Sequence, residues 1–413
     1  MKKLITFIVM ISILLGMVGC QKKEETVNTI KTKEEDLIEI FNTLEAKHKN
    51  LYANITKEEL QQEIEQVKEN VNEMSDAEFY YSVLHLLTLV QDAHTTIGYS
   101  NSKYAYEHGL PFAIAKFEDN WHTMILDEAY KAYLGYRVVS INDMSIQEIY
   151  EKAKTIIPHE NDAWIDQSFS NTINFQEALI YLGVVEENEE IVLYVEDDKR
   201  ELIPIPLTPL NEQEIKSAKL ARVERNTNPS TSLITNIYNY QKMNEDTLFI
   251  QYNSCQEDPK LPMKDFTKQV EAELDTTDYK TIIFDLRYNS GGNSEVIQPL
   301  FNMIKKSGDY TFYTLIGNKT FSSGIMNAID TQEMFNSQLV GTPTGGTVNG
   351  YGELKSIETL TVPFIVYYST KYFELIKGYD KDSLYPDIEI KQTYEDYLNG
   401  VDPEVTWVLE NSD

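Results

Sequence analysis

Thr281-Ile282-Ile283-Phe284-Asp285-Leu286-Arg287-Tyr288-Asn289-Ser290-Gly291-Gly292 is the stretch on which the fold turns. The apolar run Ile282-Ile283-Phe284-Asp285-Leu286 predicts a short strand covered on both faces. The paired glycines behind it carry no Cβ, so the backbone can turn sharply and offer its N–H groups to a ligand. Further along, Tyr313-Thr314-Leu315-Ile316 reads as a second strand, residues 317–319 as a turn, and Ser322 falls where a helix begins. A serine there usually caps the helix. It can also present its Oγ beside helix N-terminal N–H groups able to stabilise an oxyanion. The Gly-Gly turn and the serine together favour the second role.

Three segments in order resemble the carboxy-terminal processing (tail-specific) serine peptidases. Asp285 to Gly292 resembles their D-L-R-x-N-x-G-G signature, and Thr320-Phe321-Ser322 their nucleophile segment. Gly341-Thr342-Pro343-Thr344-Gly345-Gly346 resembles the G-E-P-T-x-G segment that follows. The resemblance covers most of the mature chain. Two positions depart from it. Thr342 replaces the glutamate, and Thr347 stands where the Ser-Lys branch carries its lysine, which excludes that dyad at its usual position. The resemblance implies an α/β fold with a crotonase-like spiral peptidase core and a PDZ-like central domain. It implies Ser322 as nucleophile and the N–H groups of Gly291 or Gly292 and of Ser323 as oxyanion hole. No metal or cofactor is implied.

Without that lysine another base is needed. Asp92-Ala93-His94-Thr95 resembles the D-x-H-T segment that supplies it in the tricorn-like branch. Ser75-Asp76-Ala77-Glu78 is a capping box, and Tyr80, Val83, Leu84, Leu87 and Val90 follow at helical spacing. His94 then falls just past the helix, before a strand predicted over residues 95–99. Histidine titrates near neutral pH and suits the role. His48, His85, His108, His122 and His159 have no motif around them. A third group should hold the tautomer of the base. Tyr379-Asp380-Lys381-Asp382-Ser383-Leu384-Tyr385-Pro386-Asp387-Ile388 resembles the family segment with an acid before P-D-[IV], which leaves Asp380 and Asp382 as candidates and Glu353 as a third. Each is equally readable as a solvated loop acid.

The chain of 413 residues, 42% hydrophobic with 27 tyrosines, is long enough for two or three domains and a substantial core. Its 66 acidic and 36 basic residues, for a net charge of -30, argue against nucleic acid as a partner and against electrostatic docking on anionic lipid. Solubility is the simpler reason for the acidity. The membrane is reached another way. Met1-Lys2-Lys3 precedes an uncharged apolar run over residues 4–19, too short to span, which ends in Met17-Val18-Gly19-Cys20. This resembles a bacterial lipobox, with cleavage before Cys20 and acylation of its thiol anchoring the protein on the extracytoplasmic face. Cys255 then remains as a free thiol with no motif, read as buried and structural.

The expected organisation is a signal peptide over 1–19, a polar tether over 20–33 and a helical segment carrying the base over 34–99. A PDZ-like domain over 100–212, a linker over 213–239 and a serine peptidase core over 240–413 follow. Leu134-Gly135-Tyr136-Arg137-Val138-Val139-Ser140-Ile141-Asn142-Asp143 resembles the strand and turn of a PDZ-like domain, with a helix expected over 144–154. The sequence thus reads as a lipid-anchored serine endopeptidase acting on peptide or protein substrates. Its rival is a peptide-binding surface lipoprotein whose active site has decayed, as Thr342 and Thr347 allow.

Overall fold

Apolar strands alternating with amphipathic helices from residue 238 onward build a six-stranded sheet. Its order is Ile388–Glu389, Gln338–Gly341, Thr311–Ile316, Thr281–Asp285, Thr247–Tyr252 and Tyr238–Lys242. The last two strands pair antiparallel and the others parallel. In this computed structural model residues 31–98, 107–197, 199–232 and 234–412 are described; Cys20 and the lipobox lie outside them. Among the described residues no helix is long and apolar enough to cross a membrane.

The helices Met263–Thr276, Gln298–Ser307 and Ser323–Phe335 are the crossovers between parallel strands. They pack on one face, where Ile282 and Phe284 meet Phe266, Phe301 and Ile325. The other face offers Phe249, Ile283, Leu315 and Val340 to Val405 and Val408 of the C-terminal helix Pro403–Asn411. All of Thr281–Asp285 is therefore buried, and the unbroken apolar run is explained.

A second sheet is antiparallel, ordered Phe112–Phe117, Asn120–Asp127, Arg137–Ile141, Ile191–Glu196 and Leu202–Leu207. Asn142, at φ 45°, turns the chain between Arg137–Ile141 and Met144–Ser145. Ser145 then caps the helix Ile146–Ala153, so the helix expected from 144 starts two residues later. The stretch 213–239 carries structure of its own. Leu220–Arg222 pairs with the carboxyl-terminal end of Asn120–Asp127, a partnership three residues cannot announce by periodicity.

Three helices precede these sheets: Lys33–Lys47, Lys57–Lys68 and Asp76–Thr88, each opened by a capping box at Thr32, Thr56 and Ser75 respectively. The short strand Thr96–Gly98 pairs with Ile365–Glu374, which pairs in turn with Asn349–Glu358. One hydrophobic cluster unites Leu37 and Phe79 of the helices, Leu126 and Val138 of the second sheet, and Val366 of the long hairpin. The segment carrying His94 is thereby fixed to the hairpin that leaves Gly346.

Candidate active site

The parallel strands Thr281–Asp285 and Thr311–Ile316 end side by side, and the loops beyond their carboxyl ends form the site. Asn289 organises this corner from a fully buried position. Its Nδ2 donates to the Tyr252 carbonyl and its Oδ1 accepts the Gly291 N–H, both at 2.9 Å. Its carbonyl accepts the Phe321 N–H at 3.0 Å. Gly291 and Gly292 take φ of 103° and 135°, which side chains avoid. A Cβ on Gly291 would lie 2.8 Å from Ser322 Cβ, so the two loops touch at the serine.

Ser322 stands at φ 52°, ψ −125° just before the helix Ser323–Phe335, and its hydroxyl makes no capping bond. The usual N-cap role is therefore not what holds this residue. Ser323 Oγ instead donates to the Gly292 carbonyl at 2.7 Å, locking the glycine turn to the helix start. The Gly291 N–H is engaged by Asn289. Those of Gly292 and Ser323 have no hydrogen-bond partner among the described residues, which leaves this pair of amides free for an oxyanion.

His94 lies past the helix Asp76–Thr88, at the position its capping box and spacing anticipate. Its ring packs on Phe321, the residue before Ser322, with centroids 4.5 Å apart, and Phe321 stacks on Trp164 at 4.5 Å. Both ring nitrogens of His94 are buried and have no hydrogen-bond partner among the described residues. The segment of Ser322 meets His94 through the Phe321 ring, and no hydrogen bond joins the serine hydroxyl to the imidazole among the described residues, as is common in unliganded sites. Burial pushes the His94 pKa down, with the Asp92 charge opposing.

The acids beside His94 are not the two read from the sequence. Asp380 and Asp382 are exposed, and the Asp382 carboxylate accepts from the Tyr385 hydroxyl at 2.9 Å. Glu353 is exposed and pairs with Lys371 at 3.1 Å. Asp92 and Glu160 are the neighbours: one oxygen of each and a ring nitrogen of His94 all lie within 4.8 Å of one another. Asp92 is fully buried. Its Oδ2 meets His48 Nε2 at 3.0 Å and the Thr95 hydroxyl at 2.6 Å, and its Oδ1 accepts the His94 backbone N–H at 2.9 Å. Burial opposes its charge, but the bonds from His48 and Thr95 and the nearby His94 hold its pKa below the ordinary range. His48 Nδ1 accepts the Asn50 N–H at 3.2 Å, which leaves Nε2 as the donor to Asp92.

Glu160 and Asn161 arrive from the loop before the helix Asp162–Ile173. Glu160 Oε2 accepts the Thr347 N–H at 2.9 Å. Asn161 Nδ2 donates to the carbonyls of Thr344 and Asp382 and to Ser383 Oγ, at 3.2, 2.7 and 2.9 Å. Sequence reading passed over Glu160, Trp164 and His48. The one local signal, Asn161 as helix N-cap, says nothing of its long-range partners. Arg287 of the signature is no substrate ligand. Its side chain, 11% exposed, is held between Asp285, Asp402 and Glu404, with Asp402 bidentate at 2.9 and 2.8 Å. Cys255 is buried, and its thiol is pushed up to about 12 by desolvation, so it is a structural thiol and not a nucleophile.

No protein-family model and no curated protein matches the chain. Solved structures do. CPAF complexed with lactacystin superposes with a TM-score of 0.63 at 10% identity, covering 92% of this chain and 97% of that one. Mature CPAF gives 0.61 at 12% identity, covering 89% and 94%. The photosystem II D1 C-terminal processing protease gives 0.41 at 10% identity, covering 91% and 99%. At such identities the fold is what is shared: over 92% of its length this chain has the mixed α/β fold of CPAF.

Proposed function

We propose that this chain is a serine peptidase of the carboxy-terminal processing type, nearer its tricorn-like Ser-His branch, acting on peptide or protein substrates. The observation that carries this is Ser322, held at φ 52° with an uncapped hydroxyl, next in sequence to the phenyl ring packed against His94. Ser322 Oγ attacks the peptide carbonyl and gives its proton to His94. The oxyanion forms against the N–H groups of Gly292 and Ser323. His94 then protonates the leaving amine, and water hydrolyses the acyl-enzyme. The likeness to CPAF supports the fold this needs, and the three ordered motifs support the chemistry. The same motifs support a crotonase-like core, and the strand-and-turn segment over residues 134–143 supports a PDZ-like second sheet.

A fluorophosphonate probe tests the reading. Wild type should label at one site and Ser322→Ala not at all. A wild type that stays unlabelled while binding peptides would favour the decayed binding module. We further propose acylation of Cys20 and anchoring on the extracytoplasmic face of a bacterial membrane, from the lipobox-like segment. A fatty-acid analogue should label wild type but not Cys20→Ser; label retained in the variant would refute the anchor.

A further inference from the structure

We propose that Glu160 is the positioning residue of this site: in the reacting enzyme its carboxylate takes up a ring N–H of His94, unpartnered at rest, and holds the imidazole for Ser322. The inference rests on the serine peptidase reading above.

The first support is proximity, since Glu160, His94 and Asp92 present atoms within 4.8 Å of one another. The second is the His94 ring itself. A neutral imidazole carries one N–H, and both nitrogens here are buried with no hydrogen-bond partner among the described residues, a costly state that calls for an acceptor. Asp92 is already engaged by His48, Thr95 and the His94 backbone, and its Oδ1 is 3.8 Å from His94 Nδ1. The third is that Glu160 is anchored from the far side. Thr347 binds its Oε2, and the next residue, Asn161, makes three bonds into the same region. Thr347, which stands where the Ser-Lys branch has its lysine, thus secures through its amide the acid that serves a different base.

The charged surroundings of Glu160 are few. Asp92 and His94 face it from the segment after the helix Asp76–Thr88, with His48 turned to Asp92. The 347 loop contributes a backbone N–H, and Asp162 of the adjoining helix pairs with Lys154 at 3.0 Å. His159 Nδ1 is bonded to the Ile157 carbonyl at 2.6 Å. Burial first, and the Asp92 charge second, push Glu160 up to about 7. As Ser322 Oγ bonds to the carbonyl carbon, its proton passes to the ring nitrogen facing it. The imidazolium keeps its other N–H on Glu160, and no further proton moves.

The test is the rate of fluorophosphonate labelling of the full chain against pH. Glu160→Gln should label roughly 10–100-fold more slowly at its plateau. Its acid limb should move to lower pH by about half a unit or more, because wild type must ionise Glu160, raised to about 7, before its carboxylate can accept the imidazole N–H, and glutamine has no such step. Glu160→Asp, which keeps the charge, should restore the limb. Three results would overturn the assignment. One is a Glu160→Gln rate within about threefold of wild type with the limb unmoved. Another is a slower rate with an unmoved limb and a lowered Tm, the mark of a merely structural role. The last is a limb shift in Asp382→Asn and none in Glu160→Gln. A wild type that does not label at all would instead overturn the peptidase reading beneath it.

Discussion

Ser322 holds a backbone conformation that costs an L-residue about 1–3 kcal/mol, and the surrounding bonds of Asn289, Phe321 and Ser323 enforce it. Ser322→Ala should keep the strain, melt with wild type and lose turnover by roughly four orders of magnitude. Ser322→Gly should be as inactive yet melt higher, by about 1 kcal/mol of stability, because glycine takes φ 52° freely. A glycine variant no more stable than the alanine one would show that the serine is not strained. Glu160 makes a second test at this scale. Its pKa is raised from 4.5 to about 7, so the folded chain holds a proton that the unfolded chain releases. That contribution is complete below the unfolded value and is lost as pH rises through about 7. Glu160→Gln should therefore gain on the order of 1–3 kcal/mol over wild type at about pH 8, and far less at about pH 5. Melts at both pH values decide it; a pH-independent difference would show that the carboxyl is not titrating with folding.

Among the elements, the glycine turn after Thr281–Asp285 is the one whose shape the proposed chemistry needs. Gly292 has φ 135°, and a Cβ there would sit 2.4 Å from the Cys255 carbonyl oxygen, a backbone atom that cannot swing aside. Gly292→Ala should cost several kcal/mol, roughly 2–4, and lower labelling by about a hundredfold or more as its N–H is displaced. Labelling at the wild-type rate in a folded Gly292→Ala would remove this amide from the oxyanion hole. Ser323→Ala, which loses the bond to the Gly292 carbonyl but keeps its own N–H, should cost only about 1 kcal/mol and less than tenfold in rate.

Across the whole molecule, two remote attachments hold the site in register. Arg287, at the end of the central strand, is clamped by Asp402 at the cap of the C-terminal helix, 115 residues away. Asp402 also accepts from the Ser230 hydroxyl and caps Val405 at 3.1 Å. Asp402→Ala should cost about 3–5 kcal/mol in urea denaturation, since it leaves a largely buried guanidinium with fewer partners and a helix without its cap. A loss below about 1 kcal/mol would mean that Asp285 and Glu404 suffice for Arg287. The other attachment is the loop of Glu160 and Asn161, which carries part of the second sheet's region onto the sheet of Ser322 and brings Trp164 onto Phe321.

What the sequence by itself determined is what acts over a few residues. The apolar run 282–286 made a strand buried on both faces, the capping boxes at Ser75 and Thr56 started their helices, and Asn142-Asp143 turned the chain. Ser322 and His94 could be singled out as candidates because each sits in a short motif tied to such an element. Local backbone preferences and period carry that information within one or two turns of chain. Only the tertiary structure decided which acid meets His94. Asp380 and Asp382 had the motif but ended in solvent, whereas Glu160 had none and was carried to Thr347, 187 residues away. His48 reached Asp92 in the same way. A buried charge is positioned by the packing of whole layers and by the need to satisfy each desolvated polar atom, and no local pattern encodes either.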